Sequence, residues 1–181
     1  MFRILTPAMF VTAPWKNGGG ITHEVARQDA GAGWAWRISI AEVASDGPFS
    51  RFDGLQRILT VIDGAGIDLH TPLGTLRARR GVPVRFSGDL AVDSRMVAGP
   101  VRDLNVIFDP LLVAADVSVL SGPARIMAGP VQTGVLGLCG PVTVAGQTLP
   151  VGAFALGEDG AVDLGPGAMA VLVRLHPATP D

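Results

Sequence analysis

Short runs rich in Val, Ile, Leu and Phe follow one another along this chain, separated by Gly, Pro, Asn and Asp, and few windows show the three-and-four spacing of an amphipathic helix. The pattern predicts an all-β protein with little helix. Strands are expected at 21–27, 34–43, 56–63, 66–70, 74–79, 82–86, 95–98 and 104–108. Asp63-Gly64 and Thr71-Pro72-Leu73-Gly74 supply turn chemistry between them. After Asp109-Pro110 the ionisable residues thin out, and a second set follows at 112–120, 124–127, 135–138, 142–144, 153–156 and 168–175. Two consecutive sets predict two β-barrels or sandwiches in tandem: residues 1–110 carry the candidate site, and residues 111–181 are largely structural, with exchange of strands between the two allowed.

Alternation within the strands sorts the polar positions. In Trp34 to Ala41, Trp34, Trp36, Ile38 and Ile40 share one face, and Ala35, Arg37, Ser39 and Ala41 share the other. The first face is core. The second leaves space beside the Arg37 guanidinium if it lines a concave surface. Thr22 and Glu24 pair in the same way on the preceding strand, and Asp103 and Asn105 on a later one. Convergence of these pairs in the mouth of one barrel would set Lys16, Arg37, Arg57, Glu24 and Asp103 around a small ligand. The competing reading is that alternate polar residues face water, as most do, with Arg57 a surface cation at a strand end.

Composition narrows the function. The 181 residues are 48% hydrophobic and 17% charged, which predicts extensive burial. A net charge of −2 gives no field for nucleic acid or anionic lipid, and Gly, Pro or a charge interrupts every apolar run before it could span a bilayer. The single cysteine, Cys139, excludes an internal disulfide, and a reducing cytoplasm fits best. His23, His70 and His176 form no metal-binding pair, so no metal or other cofactor is expected. Ser39 and Ser50 lack a nucleophile elbow, and Gly18-Gly19-Gly20 matches neither a P-loop nor a dinucleotide fingerprint.

That glycine run closes the stretch Pro14-Trp15-Lys16-Asn17-Gly18-Gly19-Gly20. Consecutive glycines suit positive φ or a close backbone approach. Lys16 offers a mobile cation, and Asn17 both a donor and an acceptor. The stretch reads either as an anion-receiving loop or as a tight turn whose Trp15 is simply a core plug.

Pro14 to Gly20 with Thr22 and Glu24, then Trp36-Arg37-Ile38-Ser39-Ile40-Ala41, Asp46-Gly47-Pro48-Phe49-Ser50 with Phe52 and Gly54, and Arg102-Asp103-Leu104-Asn105 closely resemble the HutD/Ves family. The resemblance covers most of the first hundred residues; the second half shares only general character. It implies a cupin-like fold of two fused β-barrels (a bicupin), without the histidine and glutamate motif of metal-dependent cupins. For the HutD branch it implies a regulator of histidine utilisation that responds to a small carboxylate, with urocanate, formylglutamate and formate as the proposed ligands. Ves-like relatives are linked instead to environmental responses, including cold.

The leading expectation is a non-enzymatic cytoplasmic binder of a small carboxylate. Lys16, Arg37 and Arg57 are its charged partners, Asn17, Thr22, Ser39 and Asn105 its neutral hydrogen bonders, and Glu24 and Asp103 orient the cations or read a donor on the ligand. An enzyme with Glu24 or Asp103 as general base is the second expectation. A structural or interaction protein whose apolar excess forms an oligomer interface, in the simplest case a homodimer, is the third.

Overall fold

The computed structural model describes residues 1–15 and 18–179. In chain order the strands are β1 (Arg3–Leu5), β2 (Val11–Pro14), β3 (Gly20–Ala30), β4 (Gly33–Val43), β5 (Gly47–Pro48), β6 (Gln56–Asp63), β7 (Gly66–Thr71), β8 (Gly74–Arg79), β9 (Val84–Ser87), β10 (Asp93–Met96) and β11 (Val101–Phe108). They continue as β12 (Val113–Ser121), β13 (Ala124–Ala128), β14 (Gln132–Cys139), β15 (Val142–Val144), β16 (Gln147–Leu149), β17 (Phe154–Gly157), β18 (Gly160–Leu164) and β19 (Met169–Pro177). The helical content of the described residues is one 3-10 turn, Pro7–Met9, and no helix among them is long and apolar enough to cross a membrane.

Two compact units are present. Residues 11–113 form one; residues 1–10 join residues 114–179 in the other. The unit of residues 11–113 has a six-stranded sheet in the order β2-β3-β4-β11-β6-β9 and a four-stranded sheet in the order β5-β10-β7-β8. Its core lies between them: Ala41, Val43, Leu59, Val61 and Val101 from the larger sheet meet Ile67, Leu69 and Ala78 from the smaller. The second unit repeats the plan, with sheet orders β1-β17-β14-β19-β12 and β13-β18-β15-β16 around Val135, Ala155, Leu172, Val144 and Val162.

The ladders are antiparallel and remain open, so the closed barrels expected from the sequence are instead pairs of separate sheets. Prolines help to explain the open edges in the unit of residues 11–113. Pro14 ends edge strand β2 and Pro48 ends edge strand β5, and neither carries the N–H that a further ladder would need.

The register sets up the site. Across β6, β11 and β4, Arg57 stands opposite Ile107, which stands opposite Arg37. The next inward row is Leu59, Asn105, Ser39 and, on β3, Glu24; the one after it is Val61, Asp103, Ala41 and Thr22. A bulge between Glu24 and Ala26 bends β3 just past these rows.

Candidate functional site

These rows form one wall of a cavity of about 60 Å³, lined by Thr22, Arg37, Ser39, Ala41, Arg57, Asn105 and Ile107 from the six-stranded sheet. Trp15 and the segment holding Phe49, Ser50 and Phe52 complete the lining. Four adjacent strands thus bring the polar pairs expected on one face into one place, and the backbone pleat is sufficient to explain it.

Arg57 is the centre of the arrangement. Its side chain is buried, and Phe49, Phe52 and Phe86 surround the guanidinium carbon with ring centroids at 5.5, 5.2 and 5.0 Å. Such cation–π contacts stabilise a charge held away from water. Nη1 donates to the Ser50 carbonyl at 3.1 Å, and Nη2 donates to Asn105 Oδ1 at 2.9 Å. Nε has no hydrogen-bond partner among the described residues. Burial lowers the Arg57 pKa to about 10, against the opposing attraction of Asp103, so the group remains a cation at neutral pH.

Behind Arg57 runs a short polar chain. Asn105 Nδ2 donates to Asp103 Oδ1, while Asp103 Oδ2 has no partner among the described residues. Asp103 has no exposed surface and does not line the cavity. Burial raises its pKa to about 7, with Arg57 pulling the other way. The amide of Asn105 therefore connects a buried carboxyl to the buried cation, and its hydrogen bonds fix which way its oxygen points.

Arg37 is engaged differently. Its Nε donates to Glu24 Oε2 at 2.7 Å, and its guanidinium stacks over Trp34 at 5.1 Å. Glu24 is also 3.6 Å from Arg27, so this carboxylate lies between two cations. It orients Arg37 at the cavity rim. At the other side, Trp15 Nε1 donates to Thr22 Oγ1 at 2.8 Å, and the Trp15 ring meets Phe49 edge to face at 5.7 Å.

The glycine run positions Trp15. Trp15 N–H donates to the Gly20 carbonyl at 2.9 Å, and Gly18, at φ +72°, donates back to the Trp15 carbonyl at 3.0 Å. A Cβ on Gly20 would lie 2.5 Å from the Glu42 carbonyl oxygen and 3.1 Å from the Trp15 ring. Only glycine allows this approach. Lys16 and Asn17 lie outside the described residues.

Of the other expected site residues, Thr22, Arg37, Ser39, Arg57 and Asn105 line the cavity, while Glu24 and Asp103 stand behind it. The strand pattern signals neither the phenylalanine box nor the Ser50 carbonyl. Phe49, Phe52 and Phe86 come from two segments far apart in sequence, and their only local signal was the Phe49-Ser50-Arg51-Phe52 run. His23 has a place in the sheet, between Thr12 Oγ1 at 2.9 Å and Glu42 Oε1 at 3.2 Å. No group of three His, Cys, Asp or Glu among the described residues is arranged to hold a metal ion.

The HutD family model matches residues 8–165. A Pseudomonas putida protein, known as an uncharacterized 21.2 kDa protein in the hutC 3' region, is 38% identical over 136 residues, which are 68% of this chain and 67% of that protein. Protein Ves of Citrobacter koseri is 34% identical over 96 residues, 51% of this chain, and the match spans 50% of Ves. The solved structure of HutD from Pseudomonas fluorescens SBW25 (formate condition) has a TM-score of 0.87 at 31% identity and covers 98% of this chain and 99% of that one. A cupin 2 conserved barrel domain protein from Leptotrichia buccalis, with a TM-score of 0.59 at 11% identity and coverage of 87% and 89%, shares the fold alone. The fold is therefore all-β and cupin-like, and the chain belongs to the HutD family.

Proposed function

We propose that the cavity beside Arg57 binds a small carboxylate of histidine degradation and that the protein uses this binding to regulate histidine utilisation in the cytoplasm. The observation that carries the reading is the buried, permanently charged Arg57, boxed by three phenylalanines beside an open cavity and with its Nε unpartnered among the described residues. A buried cation calls for an anion, and a planar guanidinium offers a carboxylate a two-point contact. Arg37, Thr22 and Ser39 add donors around the same space. Ser39 and Thr22 discriminate little on their own, so charge and size set the selectivity.

The cavity favours the smallest of the ligands. A volume of 60 Å³ has room for about two waters at the roughly 30 Å³ each takes up in the liquid. Formate fits such a space whole. Urocanate or formylglutamate would insert a carboxylate or formyl end and require the rim at Trp15 and Phe52 to open.

Calorimetric titration of formate, urocanate and formylglutamate into the wild type and Arg57→Lys tests the reading. Saturable binding by the wild type is expected, strongest for formate, with about tenfold or greater loss in the lysine variant because a point charge cannot make the two-point contact. A folded wild-type protein that binds none of the three at tens of millimolar, or equal affinity in Arg57→Lys, overturns it.

A further inference from the structure

We infer that the site takes up its anion together with one proton, and that Asp103 is the group that receives it. The inference rests on the carboxylate reading of the cavity and adds a positioning residue to it. Asp103 is joined to Arg57 only through Asn105, and its Oδ2 is buried with no partner among the described residues. An ionised Asp103 offsets the charge of Arg57 from behind. A carboxylate entering from the front offsets the same charge a second time. Two anions would then share one cation, the inner of them fully buried, and protonating that inner one relieves the repulsion.

The surroundings leave Asp103 as the acceptor. On β6 and β4 the charged groups facing this interior are Arg57 and Arg37, and on β3 it is Glu24, which is held between Arg37 and Arg27. Glu42 on β4 is exposed enough to pair with His23 and Arg102, and Asp63 at the end of β6 is exposed. The opposite sheet turns Ile67, Leu69, Ala78 and Ser94 inward. Its charged residues, Asp68 and His70 on β7, Arg77 and Arg79 on β8, and Asp93 and Arg95 on β10, alternate with those buried positions. The pKa of Asp103, already raised to about 7, places the proton equilibrium within reach of a single added charge.

Formate is the probe. Its binding is measured by calorimetry between about pH 6 and 8.5, in pairs of buffers with different ionisation enthalpies, so that the protons taken up are counted directly. The wild type is expected to take up close to one proton per formate near pH 8, and its affinity to fall by up to about tenfold per pH unit above about 7. Asp103→Asn is expected to take up none and to bind at pH 8 about tenfold more tightly than the wild type. Saturable wild-type binding that is flat with pH and takes up no proton overturns this inference and leaves the carboxylate reading standing. Undiminished proton uptake in Asp103→Asn also overturns it, by moving the acceptor elsewhere. Absence of formate binding at every pH removes the carboxylate reading and this inference with it.

Discussion

Asp103 and Arg57 illustrate how two charged side chains survive in an interior without touching: an amide stands between them and satisfies one oxygen on the carboxyl and one amine on the guanidinium. The carboxyl bears the larger cost. Its folded pKa of about 7 lies above the ordinary aspartate value, so between about pH 4 and 7 the folded protein holds a proton that the unfolded chain releases. The stability contributed by that proton is complete below about pH 4 and is lost as pH rises to about 7, on the order of 4 kcal/mol in all. Asp103→Asn removes this dependence. Its melting temperature is expected to gain on the wild type steadily from about pH 4 to 7 and to gain little more above that, and a difference between the two proteins that stays constant from about pH 4 to 7 would contradict the assignment.

At the same scale, much of the site was legible before any coordinates. Period-two alternation alone placed Arg37 with Ser39, Thr22 with Glu24 and Asp103 with Asn105, and neighbouring strands then brought the pairs together. Alternation does not say which strand lies next to which. The order β3-β4-β11-β6, which puts Arg57 within reach of Asn105, is a property of the tertiary fold, as is the meeting of Phe49 and Phe52 with Phe86. Nor does it give depth: Asp103 and Glu24 look alike in sequence, yet one is fully buried and the other braces an arginine at the rim.

Among the elements, β3 begins at a closely packed glycine. Gly20→Ala would drive a methyl group into the Glu42 carbonyl and against the Trp15 ring, and backbone must shift to accept it. A loss of about 1–3 kcal/mol is expected, read as a lowered urea midpoint, together with weaker formate binding as Trp15 leaves its bond to Thr22. Unchanged stability would show that the backbone at Gly20 and Glu42 shifts without cost. The glycine run announced this close approach, whereas β5, β16 and β18 gave no clear signal. The first two are only two and three residues long, and β18 begins at Gly160, so little side-chain pattern exists to be read.

On the scale of the molecule, two units of similar plan are built from unequal stretches of chain. The thinning of ionisable residues after Asp109-Pro110 says nothing of where the first strand goes. Arg3–Leu5 is too short to carry a period, and it completes a sheet otherwise made from residues 113–177. Phe2, 4% exposed, packs among Val135, Ala155 and Leu172 in that unit. Phe2→Ala is expected to cost it about 3–5 kcal/mol. Amide hydrogen exchange should show the loss as reduced protection along β14 and β19, and protection equal to the wild type there would mean that Phe2 is not part of the core.

The pairing of β1 with β17 also sets a timetable. Leu5 finds its partner in Phe154, so close to 150 residues must be synthesised between the two. At about 5–20 residues per second the ribosome takes roughly 7–30 s to do this. The strands of residues 11–113 are all available well before then, and they can fold while the first strand is still waiting. During that interval an apolar segment carrying Phe2, Ile4 and Leu5 is extruded with no mate. A pause in translation after residue 113 would prolong the wait.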